Sequence, residues 1–153
     1  MRAVVQRVSR ASVTTGGRNI ATIGSGLVVL VAVAPGDTPA IALKMAEKVT
    51  GLRVFEDASG KMNRSVGDCG GSVLAVSQFT LYGDTRRGRR PSFESAARPE
   101  VALPLYRAFC LAISAHVPCL PGAFGEHMEL ELVNDGPVTL IIDSDDFQRP
   151  RRT

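Results

Sequence analysis

The run Leu27-Val28-Val29-Leu30-Val31-Ala32-Val33-Ala34 constrains this chain most. It is far shorter than the roughly 18 apolar residues of a membrane-spanning helix. It is also too short and too rich in β-branched residues for a helix standing alone. Gly24-Ser25-Gly26 interrupts the chain just before it. The reading is a buried strand, and the fold must supply layers to cover it.

Other elements follow by the same logic. Residues 2–15 read as a strand with Val4, Gln6, Val8 and Arg10 on one face and Ala3, Val5, Arg7 and Ser9 on the other. Gly16-Gly17 turns it into a hairpin with Ile20–Ile23. Asp37 or Thr38 caps a helix that has Pro39 in its first turn, Ile41, Met45 and Val49 on its apolar side, and Gly51 at its end. Leu52–Phe55 is a short strand, Asp57–Lys61 a turn and Asn63–Gly71 a loop. Ser72–Phe79 is the next strand, and Tyr82–Ser95 an Arg-rich loop. Pro99–His116 is the second helix, with Val101, Leu105, Phe109 and Ile113 along one face. Pro118–Gly122 connects to strands at Met128–Leu132 and Val138–Ile142. The sum is one α/β domain of about seven strands and two helices. Both helices are expected on one face of a mixed or barrel-like sheet, with further strands as a second layer.

The chain has 153 residues, 44% hydrophobic and 22% charged, enough for a core without covalent staples. Cys69, Cys110 and Cys119 are odd in number and form no CxxC pair, which suits free thiols in a reducing compartment. The N-terminus lacks signal-peptide architecture, so a cytosolic location is expected. The formal charge is +3, and 15 of the 18 basic residues are Arg. Arg86, Arg87, Arg89 and Arg90 crowd one loop, and Arg149, Arg151 and Arg152 crowd the end of the chain. Guanidinium forks suit phosphate oxygens, although a solvated loop and a frayed tail have the same composition.

The familiar catalytic signatures are missing: there is no GxSxG elbow, HExxH helix or Walker A loop. His116 and His127 match no common metal spacing, so no metal or other cofactor is expected. Two segments do stand out. Ser77-Gln78-Phe79-Thr80 puts polar groups where a buried strand runs out. There, backbone N–H groups and the Gln amide can face a cleft and hold an oxyanion or a carbonyl. Thr80 reads either as a nucleophile or as a strand-edge residue bonding its own backbone. With no base beside it, the second reading is preferred. Gly136-Pro137 reads as a plain turn before a strand, or as a rigid element. A cis bond there would aim two carbonyls at one point.

These segments, Ser77-Gln78-Phe79-Thr80-Leu81 and Asn134-Asp135-Gly136-Pro137-Val138-Thr139, resemble the two signature motifs of the D-aminoacyl-tRNA deacylases. Gln6-Arg7-Val8 with Arg10-Ala11-Ser12-Val13, Gly60-Lys61-Met62-Asn63, Gly70-Gly71-Ser72-Val73, Arg89-Arg90-Pro91-Ser92-Phe93, and Gly125 with Met128 are similar to the family in the same order. The resemblance covers about residues 1–142.

It implies a three-layer β/β/α domain over residues 1–143; residues 144–153, which the resemblance does not cover, read from their polar and basic composition as a mobile C-terminal tail. It implies hydrolysis of the ester joining a D-amino acid, or glycine, to the terminal adenosine of tRNA. It further implies a homodimer with the active site at the subunit interface. In that scheme Gly136-Pro137 is a cis pair entering the partner's pocket, and Arg7 orients it. Ser77, Gln78, Phe79 and Thr80 line the ester site, and Phe124 and Met128 wall the adenine pocket. Arg86, Arg87, Arg89 and Arg90 are candidates for tRNA phosphates. The competing expectations are an RNA-binding module without catalysis, and a small hydrolase using Thr80 or Ser77 on other esters.

Overall fold

A computed structural model describes residues 1–149. Eight strands and two helices follow one another: β1 (Arg2–Thr15), β2 (Arg18–Ile23), β3 (Gly26–Ala32), α1 (Pro39–Thr50), β4 (Phe55–Glu56), β5 (Met62–Arg64), β6 (Ser72–Ser77), α2 (Pro99–Ser114), β7 (Cys119–Pro121) and β8 (Glu129–Asp143). The main sheet is mixed and runs β2-β1-β3-β6-β7, with β8 on the other edge of β1. β3, β6 and β7 are parallel, and β1 is antiparallel to each of its neighbours.

The Leu27–Ala34 run forms the middle of this sheet, covered on both faces. Leu27, Val29 and Val31 of β3, with Val73 and Ala75 of β6, face the core beneath the helices. Val28, Leu74 and Val76 face a second core against β1, β2 and β8. Three layers result: helices, central strands and an outer β layer. α1 buries Ala42, Met45, Ala46 and Val49, one stripe at helical spacing, and Thr38 accepts the N-terminal Ile41 amide as its cap. α2 buries Ala102, Leu105, Tyr106, Phe109 and Ile113. Phe109 is fully buried, which contributes roughly 2–3 kcal/mol relative to an exposed ring.

β1 serves both cores through a change of phase. Ala3, Val5 and Arg7 point toward the helices, whereas Val8, Ala11 and Val13 point into the second core, with Ser9 and Arg10 exposed between. The β1–β8 register slips at this point, on both sides of Val8. Such a bulge bends the strand and swaps its faces. Gly16 and Gly17, at φ +55° and +76°, make the tight β1–β2 turn.

Several details depart from the sequence expectations. Val101 is 42% exposed, and Ala102 takes its place on the buried face. Residues 62–64, the last two expected as loop, pair with β4 in a small hairpin. Residues 119–121, expected as a plain connection, join the sheet beside β6. The two expected C-terminal strands are one element, β8, interrupted by a bulge. Ser144–Gln148 winds a short 3-10 turn on which Phe147 packs against the helix-side core. Arg151 and Arg152 lie outside the described residues.

Candidate active site

Three parallel strands end on the same side of the sheet, and a crevice outside such carboxyl ends is the usual ligand site of an α/β sheet. Here β3 ends at Ala32 and β6 at Ser77, and a cavity of about 590 Å³ opens beyond both. Ser77, Gln78 and Phe79 line it from the β6 end. Phe93, Ala97 and Arg98 line it from the stretch before α2, and Phe124, His127 and Met128 from the stretch before β8.

The chain is held in place on each side. The Gln78 amide donates to the Val31 carbonyl at 2.8 Å, and the Ala97 amide to the Val33 carbonyl at 2.8 Å. Phe79 opens a 3-10 turn, Phe79–Tyr82, because the sheet pairing of β6 has ended. Its ring stands edge-on to Phe93 with centroids 5.2 Å apart. Beneath the far wall, Tyr106 lies 5.7 Å from Phe124 between ring centroids and donates its hydroxyl to the Ala75 carbonyl at 2.8 Å. Burial pushes the Tyr106 phenol well above its ordinary range, so it stays neutral.

Thr80 follows the lining residue Phe79 and is exposed, outside the lining itself. Its hydroxyl oxygen accepts from the Gln78 side-chain Nε2 at 2.5 Å. Among the described residues no His, Asp or Glu side chain bonds to it. The Phe79 and Thr80 amides have no hydrogen-bond acceptor among the described residues. The corner therefore offers donors and no activated nucleophile.

Gly136 and Pro137 lie elsewhere. Gln6 pairs with Thr139 and Val8 with Asn134, so five steps along β8 match two along β1 and three residues bulge out. Both Gly136 and Pro137 are exposed. Arg7, only 7% exposed, reaches this bulge from below. Its Nε donates to the Asp135 carbonyl at 3.1 Å and lies 3.4 Å from the Asp135 carboxylate, while a terminal nitrogen donates to the Val54 carbonyl at 2.5 Å. Asn134 ties the base of the bulge by donating to the Arg7 and Val138 carbonyls at 2.9 and 3.1 Å.

The expected cis bond is corrected here: no cis peptide occurs among the described residues, so Gly136–Pro137 is trans. The change of direction comes instead from Gly136, whose φ of +110° is open to glycine and strained for other residues. Along β3, Leu27 (the partner of Arg7) is five residues from Ala32 at the cavity, roughly 16 Å at strand spacing. One protomer thus carries the two motifs apart.

The Arg loop is not uniformly available to a phosphate. Arg86 clasps Asp84 with nitrogen–oxygen distances of 2.6–3.1 Å, and hydrogen bonds from the Arg86 side chain and amide hold the Asp84 carboxyl at about 2. Arg87, Arg89 and Arg90 are exposed and enter no ion pair among the described residues. Arg98, Ala97 and Glu126 of the cavity lining were not singled out from sequence. The available signal was positional: a stretch leaving one strand end for the next helix borders the crevice by topology.

Residues 4–143 match the family model described as D-Tyr-tRNA(Tyr) deacylase. A D-aminoacyl-tRNA deacylase of Symbiobacterium thermophilum is 63% identical over 148 residues, covering 95% of this chain and 97% of that relative. The D-aminoacyl-tRNA deacylase of Thermus aquaticus is 56% identical over 147 residues, covering 94% and 95%. A solved structure described as c-Myc DNA Unwinding Element Binding Protein superposes with a TM-score of 0.88 at 42% identity, covering 94% and 98%. A probable eukaryotic D-amino acid tRNA deacylase shares the fold, with a TM-score of 0.79 at 17% identity over 92% of this chain and 97% of that one. Among the described residues no helix is long and apolar enough to cross a membrane.

Proposed function

Because this chain belongs to the D-Tyr-tRNA(Tyr) deacylase family, we propose that it hydrolyses the ester of D-aminoacyl-tRNA, releasing tRNA and the D-amino acid. The observation that carries the reading is the placement of Ser77, Gln78 and Phe79 in one cavity with Phe124 and Met128. Aromatic and thioether walls suit a purine, and a volume of about 590 Å³ suits a nucleoside carrying an amino acid. The unpaired amides of Phe79 and Thr80 can stabilise the charge that develops on the ester oxygen. With Thr80 unactivated, the attacking oxygen is a water positioned with the help of the substrate's own 2′-hydroxyl. The substrate places the reaction in the cytoplasm, where translation runs.

The site is completed by a second copy of the chain. β8 pairs with β1 along one edge only, and it exposes Val133, Leu140 and Ile141. An apolar edge of this length invites pairing. In a twofold dimer the projecting Gly136-Pro137 bulge of one subunit closes the cavity of the other. Held stiff by Arg7 and Asn134, it leaves no space for a side chain of the L hand. Such a steric filter passes glycine, which has no side chain, so glycyl-tRNA is also a substrate.

Matched D- and L-aminoacyl-tRNA, with glycyl-tRNA alongside, test this reading. Loss of the D and glycyl esters with the L ester spared supports it. Hydrolysis of none, with tRNA still bound, would point to a binding module instead.

A further inference from the structure

Arg98 stands at the cavity rim on a fixed backbone. Ala97 before it is buried and bonded to Val33, and Pro99 after it opens α2. The Arg98 side chain is exposed, lines the cavity and makes no hydrogen bond or ion pair among the described residues. The same lining carries Glu126 and His127, and among the described residues Arg98 is its one permanent positive charge; the rest of the lining is largely apolar. Among the described residues this bare guanidinium beside an aromatic cavity has no partner.

We infer that Arg98 binds the phosphodiester preceding the terminal adenosine of tRNA, and so seats the ester at Ser77–Thr80. This rests on the deacylase reading above. A nucleoside bound between Phe79, Phe124 and Met128 must lead its 5′ phosphate out past the rim. A guanidinium fork offers that phosphate paired donors, which a point charge cannot reproduce.

The test compares wild type, Arg98→Ala and Arg98→Lys on D-aminoacyl-tRNA and on 3′-O-D-aminoacyl-adenosine, which has no phosphate. For the tRNA substrate, Arg98→Ala should raise KM roughly tenfold with kcat nearly unchanged. Its binding should lose about 0.7 from the log–log salt slope. Arg98→Lys should recover part of the KM. Hydrolysis of the aminoacyl-adenosine should differ among the three proteins far less than hydrolysis of the tRNA substrate does. Equal losses on both substrates, or an unchanged KM for tRNA, would overturn the assignment while leaving the deacylase standing. A wild type inactive on both esters would overturn the deacylase reading and Arg98 with it.

Discussion

Arg7 lies so close beneath Gly136 that a β-carbon added to the glycine would meet the guanidinium. Gly136 also has a φ of +110°, so steric space and backbone conformation both select glycine. Gly136→Ala should therefore destabilise the fold by roughly 1–3 kcal/mol. It should also disturb discrimination between D and L esters more than it disturbs tRNA binding. Thermal unfolding beside D/L hydrolysis ratios checks this, and an Ala variant as stable and selective as wild type would contradict it.

The guanidinium is itself a buried brace. It donates to the Val54 and Asp135 carbonyls, on opposite sides of the side chain's end. An ammonium on a Lys stem lacks the planar fork needed to serve both. Arg7→Lys should lose about 2–3 kcal/mol of stability. Amide exchange should rise around Asp135–Val138 before it rises in α2.

Tyr106→Phe removes one buried donor and keeps the ring against Phe124. The Ala75 carbonyl still accepts from the Gly122 amide at 2.8 Å, so it is not orphaned. The expected loss is about 1 kcal/mol in denaturant unfolding, with hydrolysis close to wild type. A collapse of activity at unchanged stability would instead give the phenol a role in the reaction.

Asp143 links pH to stability. Burial raises its pKa, but the Asp145 amide and the Arg2 side chain outweigh burial and hold it below the ordinary 3.8. A carboxyl with a lowered folded pKa stabilises fully above its unfolded value. Its contribution is lost as pH falls through the folded one. The stability difference between wild type and Asp143→Asn should hold steady above about pH 5. It should shrink as pH drops below 3.8. A difference that grows toward acid would reverse the assignment.

Much of this architecture is written locally in the chain. β3 is legible because an apolar, valine-rich run extends unbroken from Gly26 to Pro35, and α1 because Thr38, Pro39 and Gly51 bracket an apolar stripe. β7 is not legible. Three residues between Pro118 and Gly122 carry no period, and they become a strand only because β6 offers them a parallel edge. The phase change at Val8 is equally tertiary, since it answers to two cores that meet across one strand. Within the site, Ser77–Phe79 shows itself because polar residues follow directly on an apolar run. Arg98 reads in sequence as a residue before a helix. Only the folding of its stretch over the β3 end puts it at the cavity. The φ of +110° at Gly136 is likewise not shown by the motif alone.

The composite site is tested most directly by subunit mixing. Phe79 is 54% exposed and Pro137 is exposed, so Phe79→Asp and Pro137→Trp should both fold. In the proposed dimer the first would spoil the cavity of its own subunit, and the second would block the cavity of its partner. Each alone should be inactive on D-aminoacyl-tRNA. Co-expressed, they should pair at random and regain about a quarter of wild-type activity, since half the dimers hold one intact site of two. A mixture as inactive as its parts would place cavity and bulge in the same subunit and contradict the account.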